Sequence, residues 1–217
     1  MASILCGKPV ASDRPAALAC SSAEDSPAAP GRRVLLGGCL AMAAGLSWPA
    51  QAEDADDPAR TMRPQKGDLL VHFEGDHEGA VIKPTDLKAG DPPVTAWAFD
   101  PQKKVPRDGS RLNLILMVRL DPATITGEEK AHAAEGVVAF STTCTHQQCP
   151  VTDWLTGPRH FRCPCHQSEF DPAQNARVVA GPAPRPLPPL PLMIADGQLQ
   201  VAGSFIGHVG GERPTGM

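Results

Sequence analysis

The sequence predicts an all-β domain. Three apolar runs of strand length, Asp68–Phe73, Val94–Phe99 and Leu112–Leu120, are separated by turn-rich segments. A closing hairpin follows near the C-terminus, where Asp196-Gly197 sits between Leu192–Ala195 and Leu199–Val201. Only one segment carries the end signals of a helix. At 217 residues the chain accommodates one domain with a real core, and nothing in it suggests a second.

Taken in order, residues 1–30 are rich in Ala, Ser and Pro and are not expected to fold alone. Arg32-Arg33, an apolar run of about 17 residues and Ala50-Gln51-Ala52 then read as a twin-arginine export signal with its cleavage site. Residues 1–52 are therefore expected to be a leader. Retention of that run as a membrane anchor is the alternative, although it is short and holds Gly37, Gly38, Gly45 and Pro49. Residues 53–66, acidic and Pro-containing, read as a solvated linker, and 67–217 as the folded domain.

Within the domain, Leu112–Leu120 is expected to be a central strand. Leu112, Leu114, Leu116, Val118 and Leu120 share one face, and Ile115 and Met117 make the other face apolar too. Residues 82–91 and 100–110 are punctuated by Pro and Gly and read as loops, with Lys103, Lys104 and Arg107 as a solvated tip or a docking patch. Thr126-Gly-Glu-Glu129 has capping-box spacing and Gly136 a terminator's place, so one short helix is expected over about 127–135. Val137–Ser141 and His160–Arg162 read as strands whose adjacent ends lead into the chemistry-bearing segments. The tail, 205–217, is Gly-rich and expected on the surface. His72, His77, His132, His160 and His208 show no partner pattern.

The chemistry concentrates in 144–170. All four cysteines outside the leader lie there, as Cys144-Thr-His146-Gln-Gln-Cys149 and Cys163-Pro-Cys165-His166-Gln-Ser168. Each half pairs a Cys with a His, a donor set that suits zinc or an iron–sulfur cluster. Zinc held by Cys144, His146, Cys163 and His166 would leave Cys149 and Cys165 without a role. A four-cysteine cluster of plant-type spacing requires a cysteine at 152, which is Thr152.

These two blocks, with Gly181-Pro182-Ala183-Pro184 after them, resemble the Rieske [2Fe–2S] proteins, in the disulfide-containing branch of cytochrome bc complexes and arsenite oxidase. The resemblance is best over 137–201. It implies a Rieske β-sandwich with a small cluster-binding subdomain over about 140–184. It further implies one [2Fe–2S] cluster, with Cys144 and Cys163 on one iron, His146 and His166 on the other, and a disulfide between Cys149 and Cys165. Gly181 and Pro182 would belong to a rigid covering loop.

Neutral imidazoles in place of two thiolates leave such a cluster less negative, which raises its potential into the range of roughly −150 to +300 mV. The resemblance also implies electron uptake coupled to proton uptake at the ligand imidazoles in the alkaline range. A persistent disulfide suits an oxidising compartment, and a protein folded around a cluster suits a route that exports folded cargo.

Ser168 matches a serine whose hydroxyl donates to a cluster sulfur in this family. Phe170 stands where bc-complex proteins usually carry a second donor, a tyrosine, and this chain contains no Tyr. Gln147 replaces an apolar residue at the quinol-facing tip. Ser168-Glu-Phe-Asp-Pro172 and the Gly-rich 206–211 look closer to the arsenite oxidase small subunit, whereas Gly181-Pro-Ala-Pro looks closer to bc proteins.

The function expected is periplasmic one-electron transfer, as the iron–sulfur subunit of a respiratory oxidoreductase similar to arsenite oxidase. The alternative is the iron–sulfur subunit of a quinol-oxidising cytochrome bc complex. Partners would be a larger oxidoreductase subunit, cytochrome b or cytochrome c, and quinol in the bc case, with membrane contact only if the leader is retained. A ring-hydroxylating oxygenase fits poorly, because it would lack Cys149 and Cys165. Past residue 52 the chain has 16 Lys and Arg against 21 Asp and Glu, a net of −5 with no basic stripe, which disfavours nucleic acid. No residues for substrate chemistry of its own are visible.

Overall fold

The computed structural model describes residues 57–211. The leader, with Arg32-Arg33 and Ala50-Gln51-Ala52, lies outside the described residues, as do 53–56 and 212–217. Among the described residues no helix is long and apolar enough to cross a membrane.

Eleven strands follow one another: β1 Leu69–His72, β2 Val94–Asp100, β3 Val105–Pro106, β4 Ile115–Arg119, β5 Val137–Ser141, β6 Asp153–Leu155, β7 His160–Arg162, β8 Glu169–Asp171, β9 Arg177–Ala180, β10 Leu192–Ala195 and β11 Gln198–Val201. The only α-helices among the described residues are single turns, α1 Pro58–Thr61 and α2 Glu129–His132. A larger antiparallel sheet runs β10-β11-β1-β2-β4-β5, with β3 folded back on β2, and a smaller one runs β6-β7-β8-β9. The fold is the expected all-β sandwich.

The pattern of β4 explains the layering. Ile115 and Met117 point into one buried cluster with Leu70, Ala96, Leu190 and Leu199, while Leu116 and Val118 point into another with Phe161 and Phe170. β5 repeats the division, with Val137 and Ala139 on one side and Val138 and Phe140 on the other. Both strands therefore have two buried faces, as their unbroken apolar runs require. The larger sheet curls until its ends meet: the stretch leading to β10 bonds to β5 through Leu190 N to Ala139 O at 2.8 Å and Ser141 N to Pro188 O at 2.9 Å. The smaller sheet packs on the outer face of β4 and β5 through Phe140, Phe161 and Phe170.

Several expectations are corrected. The central strand begins at Ile115, because residues 111–113 form a 3₁₀ turn whose Leu112 N donates to Ser110 Oγ at 3.3 Å. That turn buries Asn113, which donates to Met62 O at 2.7 Å and Arg107 O at 3.1 Å. The described end of the linker, 57–66, is consequently docked rather than solvated. Arg107 is neither a loop tip nor a docking patch, since it is buried against Asp68. The capping box does not form: Thr126 N donates to Ala173 O at 3.2 Å, and Glu129 is fully buried.

Candidate metal centre

Loop 1 (142–152) joins β5 to β6, and loop 2 (163–168) joins β7 to β8. The loops close in the same way. Gln148 N donates to Cys144 O at 3.0 Å and Cys144 N to Cys149 O at 2.8 Å. In loop 2, Gln167 N donates to Cys163 O at 3.0 Å and Cys163 N to Ser168 O at 2.8 Å. Gln148 and Gln167 take the same left-handed conformation, with φ of 59° and 58°. Each loop thus turns its cysteine inward at its base. β5 and β7 lie in different sheets, but loop 1 runs into the start of β6 and loop 2 leaves the end of β7, and these two strand ends are adjacent, with Asp153 paired to Arg162. A disulfide between Cys149 and Cys165, with Cα atoms 6.5 Å apart, joins the loops.

That link brings the four remaining donors into two pairs. Cys144 and Cys163 are free and buried at 1% exposure each. Burial pushes the Cys144 thiol above its ordinary value, and the neighbouring Cys163 sulfur adds to the rise. The rings of His146 and His166 stand 4.7 Å apart, edge to face, at the outer end. His166 is exposed, whereas His146 is partly covered and its Nδ1 is buried without a hydrogen-bond partner. Such an orphaned nitrogen beside buried thiols fits a bound metal centre with mixed N and S ligands. The sulfurs of Cys149, Cys163 and Cys165 also lie within 4.8 Å of one another. Two of those three are spent in the disulfide and have no thiolate to offer, so the Cys–Cys and His–His pairs are the better donor set.

A family profile for the Rieske [2Fe–2S] domain matches residues 80–191. The chain belongs to the Rieske family. Rieske domains bind a [2Fe–2S] cluster, and the donor set above fits one. The cytochrome bc1 complex Rieske iron–sulfur subunit of Streptomyces lividans is 35% identical over 152 residues, 67% of this chain and 85% of that protein. The corresponding Streptomyces coelicolor subunit is also 35% identical, and there the match spans 41% of the relative's length. A Haloferax mediterranei protein, named as a Rieske subunit of a respiratory nitrate reductase, is 37% identical over 107 residues, covering 48% of each chain. Among solved structures, the plasma membrane Rieske protein PetC3 of Synechocystis PCC 6803 is 25% identical over 49% of this chain and 84% of that one, with a TM-score of 0.32.

The 181–184 segment of this Rieske domain packs onto loop 2. Gly181 has φ +83°, and a Cβ there would lie 2.4 Å from Ser168 Cα and 2.7 Å from Ser168 N. Replacing Gly181 with Ala is expected to cost roughly 1–3 kcal/mol and to push loop 2 out of place, because backbone cannot yield as a side-chain tip can. Urea titration together with the visible absorbance of the loaded protein would detect both effects. Unchanged stability and cluster content would show that the loop is slack. Gly181 and Pro182 are otherwise exposed.

Ser168 is fully buried, and its Oγ accepts from Ala183 N at 3.1 Å. One lone pair is thereby occupied, which leaves the hydroxyl proton to be donated elsewhere. Phe170 is fully buried against the aromatic core, and Gln147 is exposed at the tip.

Three anchors of loop 1 were invisible in the spacing. Thr145 Oγ1 donates to Arg185 O at 2.7 Å, and Arg111 Nη1 donates to Gln148 O at 2.9 Å. The third anchor is the tail, where Val209, Gly210 and Gly211 are buried rather than on the surface. Arg111 and Arg185 each lie more than 30 residues from the loop position they hold, so no local motif announces them.

Proposed function

We propose that Cys144 and Cys163 hold one iron and His146 and His166 the other, and that the protein is a periplasmic one-electron carrier. In this reading it is the iron–sulfur subunit of a respiratory oxidoreductase whose other subunits supply the substrate site. The single observation supporting the ligand set most directly is the convergence of two buried thiols behind two facing imidazoles. When bound, the cluster supplies a one-electron couple within roughly −150 to +300 mV.

The chain's own residues set the conditions for that couple. Buried Cys144 and Cys163 keep water from the inner end, while exposed His166 offers the outer end to a partner. The Cys149–Cys165 disulfide holds the loops at one separation, so that little reorganises between redox states. Ser168, oriented by Ala183 N, directs its proton toward the inner end.

Two complexes compete. Likeness to a bc1 subunit over 85% of its length supports a bc-type complex, with cytochrome b, cytochrome c and quinol as partners. Exposed Gln147, where an apolar tip would suit quinol, supports the second reading, a small subunit similar to that of arsenite oxidase. Purification from native membranes and periplasm decides between them. Cytochrome b in the isolated complex establishes the bc type, and one large soluble partner establishes the other. Isolation without any redox partner overturns both.

A hydrogen bond to a cluster sulfur stabilises the more negative reduced form. At about 1 kcal/mol such a bond corresponds to about 40 mV in a one-electron couple. Phe170→Tyr is therefore expected to raise the midpoint potential by about that amount, and Ser168→Ala to lower it similarly. A redox titration followed by the Rieske-type EPR signal reads both. An unmoved potential in the two variants would remove hydrogen bonding as the tuning device.

A further inference from the structure

We propose that Arg185 and the strap formed by residues 205–211 are a retaining clamp on loop 1, so that escape of the cluster is limited by opening of the clamp. The inference rests on the ligand reading above in one respect, that His146 is a ligand.

Arg185 joins three pieces of chain. Its carbonyl accepts from Thr145 Oγ1, between Cys144 and His146. Its guanidinium reaches the strap, where Nη1 donates to His208 O at 2.6 Å and Nη2 donates to Gly210 O. His208 Nε2 stands 3.1 Å from Gly211 O, folding the strap's end on itself. At its other end the strap is tied by Ile206 N to Pro189 O at 2.9 Å.

So held, the strap lies directly on loop 1. A Cβ at Gly211 would be 3.1 Å from His146 O, and one at Gly210 would be 3.3 Å from the Gln148 side chain. A Cβ at either position would force its neighbour to give by a few tenths of an ångström, and Gly210 is also in the left-handed region at φ +99°. The strap covers His146 and leaves His166 exposed.

An open pocket of about 260 Å³ flanks the strap, lined by Arg185, Leu187, Pro189, Ile206, Gly207 and His208. Packing is thin on that side, so the two guanidinium bonds, with the Ile206 tie, carry much of the restraint. A planar guanidinium spans two carbonyls at once; an ammonium does not.

The test is chelator-driven bleaching of the cluster-loaded full chain, comparing wild type with Arg185→Gln, Arg185→Lys, Gly211→Ala and the Arg185→Gln/Gly211→Ala double variant. Loss of two charge-assisted hydrogen bonds is expected to speed bleaching at least about tenfold in Arg185→Gln. Arg185→Lys should resemble it, because the fork and not the charge is needed. Gly211→Ala should be comparably fast. The double variant should be no faster than the faster single, since both open one clamp. The Rieske-type EPR line shape should persist in all four.

Wild-type bleaching rates in Arg185→Gln and Gly211→Ala, or effects that multiply in the double, would overturn the proposal. If a variant does not load, the reaction of Cys144 and Cys163 with a thiol reagent in the cluster-free protein gives the same answer. Faster modification than in wild type supports the clamp, and equal rates sink it. His146→Ala tests the ligand reading separately, because a normal spectrum in that variant would refute it whatever the clamp does.

Discussion

Replacing Glu129 with Gln is expected to stabilise the protein at neutral and alkaline pH and to leave it nearly unchanged near pH 4. Glu129 opens α2 with no exposure, and neither carboxylate oxygen has a hydrogen-bond partner. Burial pushes its carboxyl up to about 8, from an ordinary 4.5. The folded state therefore holds a proton that the unfolded chain has released. Stability falls as pH rises through this window, from the unfolded value to the folded one, and the full penalty applies above it. The shift corresponds to on the order of 5 kcal/mol. A buried amide resembles the protonated carboxyl, so Gln removes the slope without changing the low-pH value. Urea unfolding of both proteins at pH 4, 6 and 8.5 reads the difference. Parallel curves across that range would mean that Glu129 ionises without cost and that its burial is compensated.

Arg107→Ala is expected to lose about 3–5 kcal/mol, the cost of breaking a buried ion pair from one side. The Arg107 guanidinium donates through Nε to one Asp68 oxygen and through Nη2 to the other at 2.8 Å. It also reaches Asp100 Oδ2 at 3.3 Å and Ala59 O at 3.2 Å. Arg107 and Asp68 are each 3% exposed, and the Asp68 hydrogen bond raises Arg107 against the lowering effect of burial. Removing Arg107 strands the Asp68 carboxylate with little beyond Gln65 N, which donates at 2.7 Å. It also removes one of the ties to α1, the bond to Ala59 O. A double variant, Arg107→Met with Asp68→Asn, should recover a large part of the loss, because no charge is then left unpaired. A single variant within 1 kcal/mol of wild type, measured by denaturant titration, would show that water solvates the site after all.

These two sites show where sequence reading stops. Arg107 sits in a segment with Pro101, Pro106 and Asp108-Gly109, a local composition indistinguishable from that of a solvated loop. Its partner Asp68 is 39 residues away. Glu129 has ideal capping-box spacing from Thr126, yet Thr126 N is taken by Ala173 O, and the core claims the carboxylate. In each case a long-range contact overrode a local preference that is worth about 1 kcal/mol.

The strands were legible because a buried strand advertises itself through an apolar run, and β1, β2, β4, β5, β10 and β11 lie within or nearly on the expected segments. The candidate donor residues were legible for a related reason. A loop able to offer a Cys and a His to one centre keeps them within a few residues, so the spacing Cys144-x-His146 and Cys163-x-x-His166 survives in one dimension.

The order of residues by itself determined the all-β class, through periodicity over fewer than about ten residues, while the Rieske membership and the candidate donor set followed from the resemblance of the blocks at 144–149 and 163–168 to that family. Tertiary structure alone decided how loop 1 is held. Arg111, Arg185 and the strap 205–211 reach it from three distant places in the chain. Hydrogen bonds between such segments leave no periodicity in the sequence, because any residue able to donate at the right point in space serves equally well.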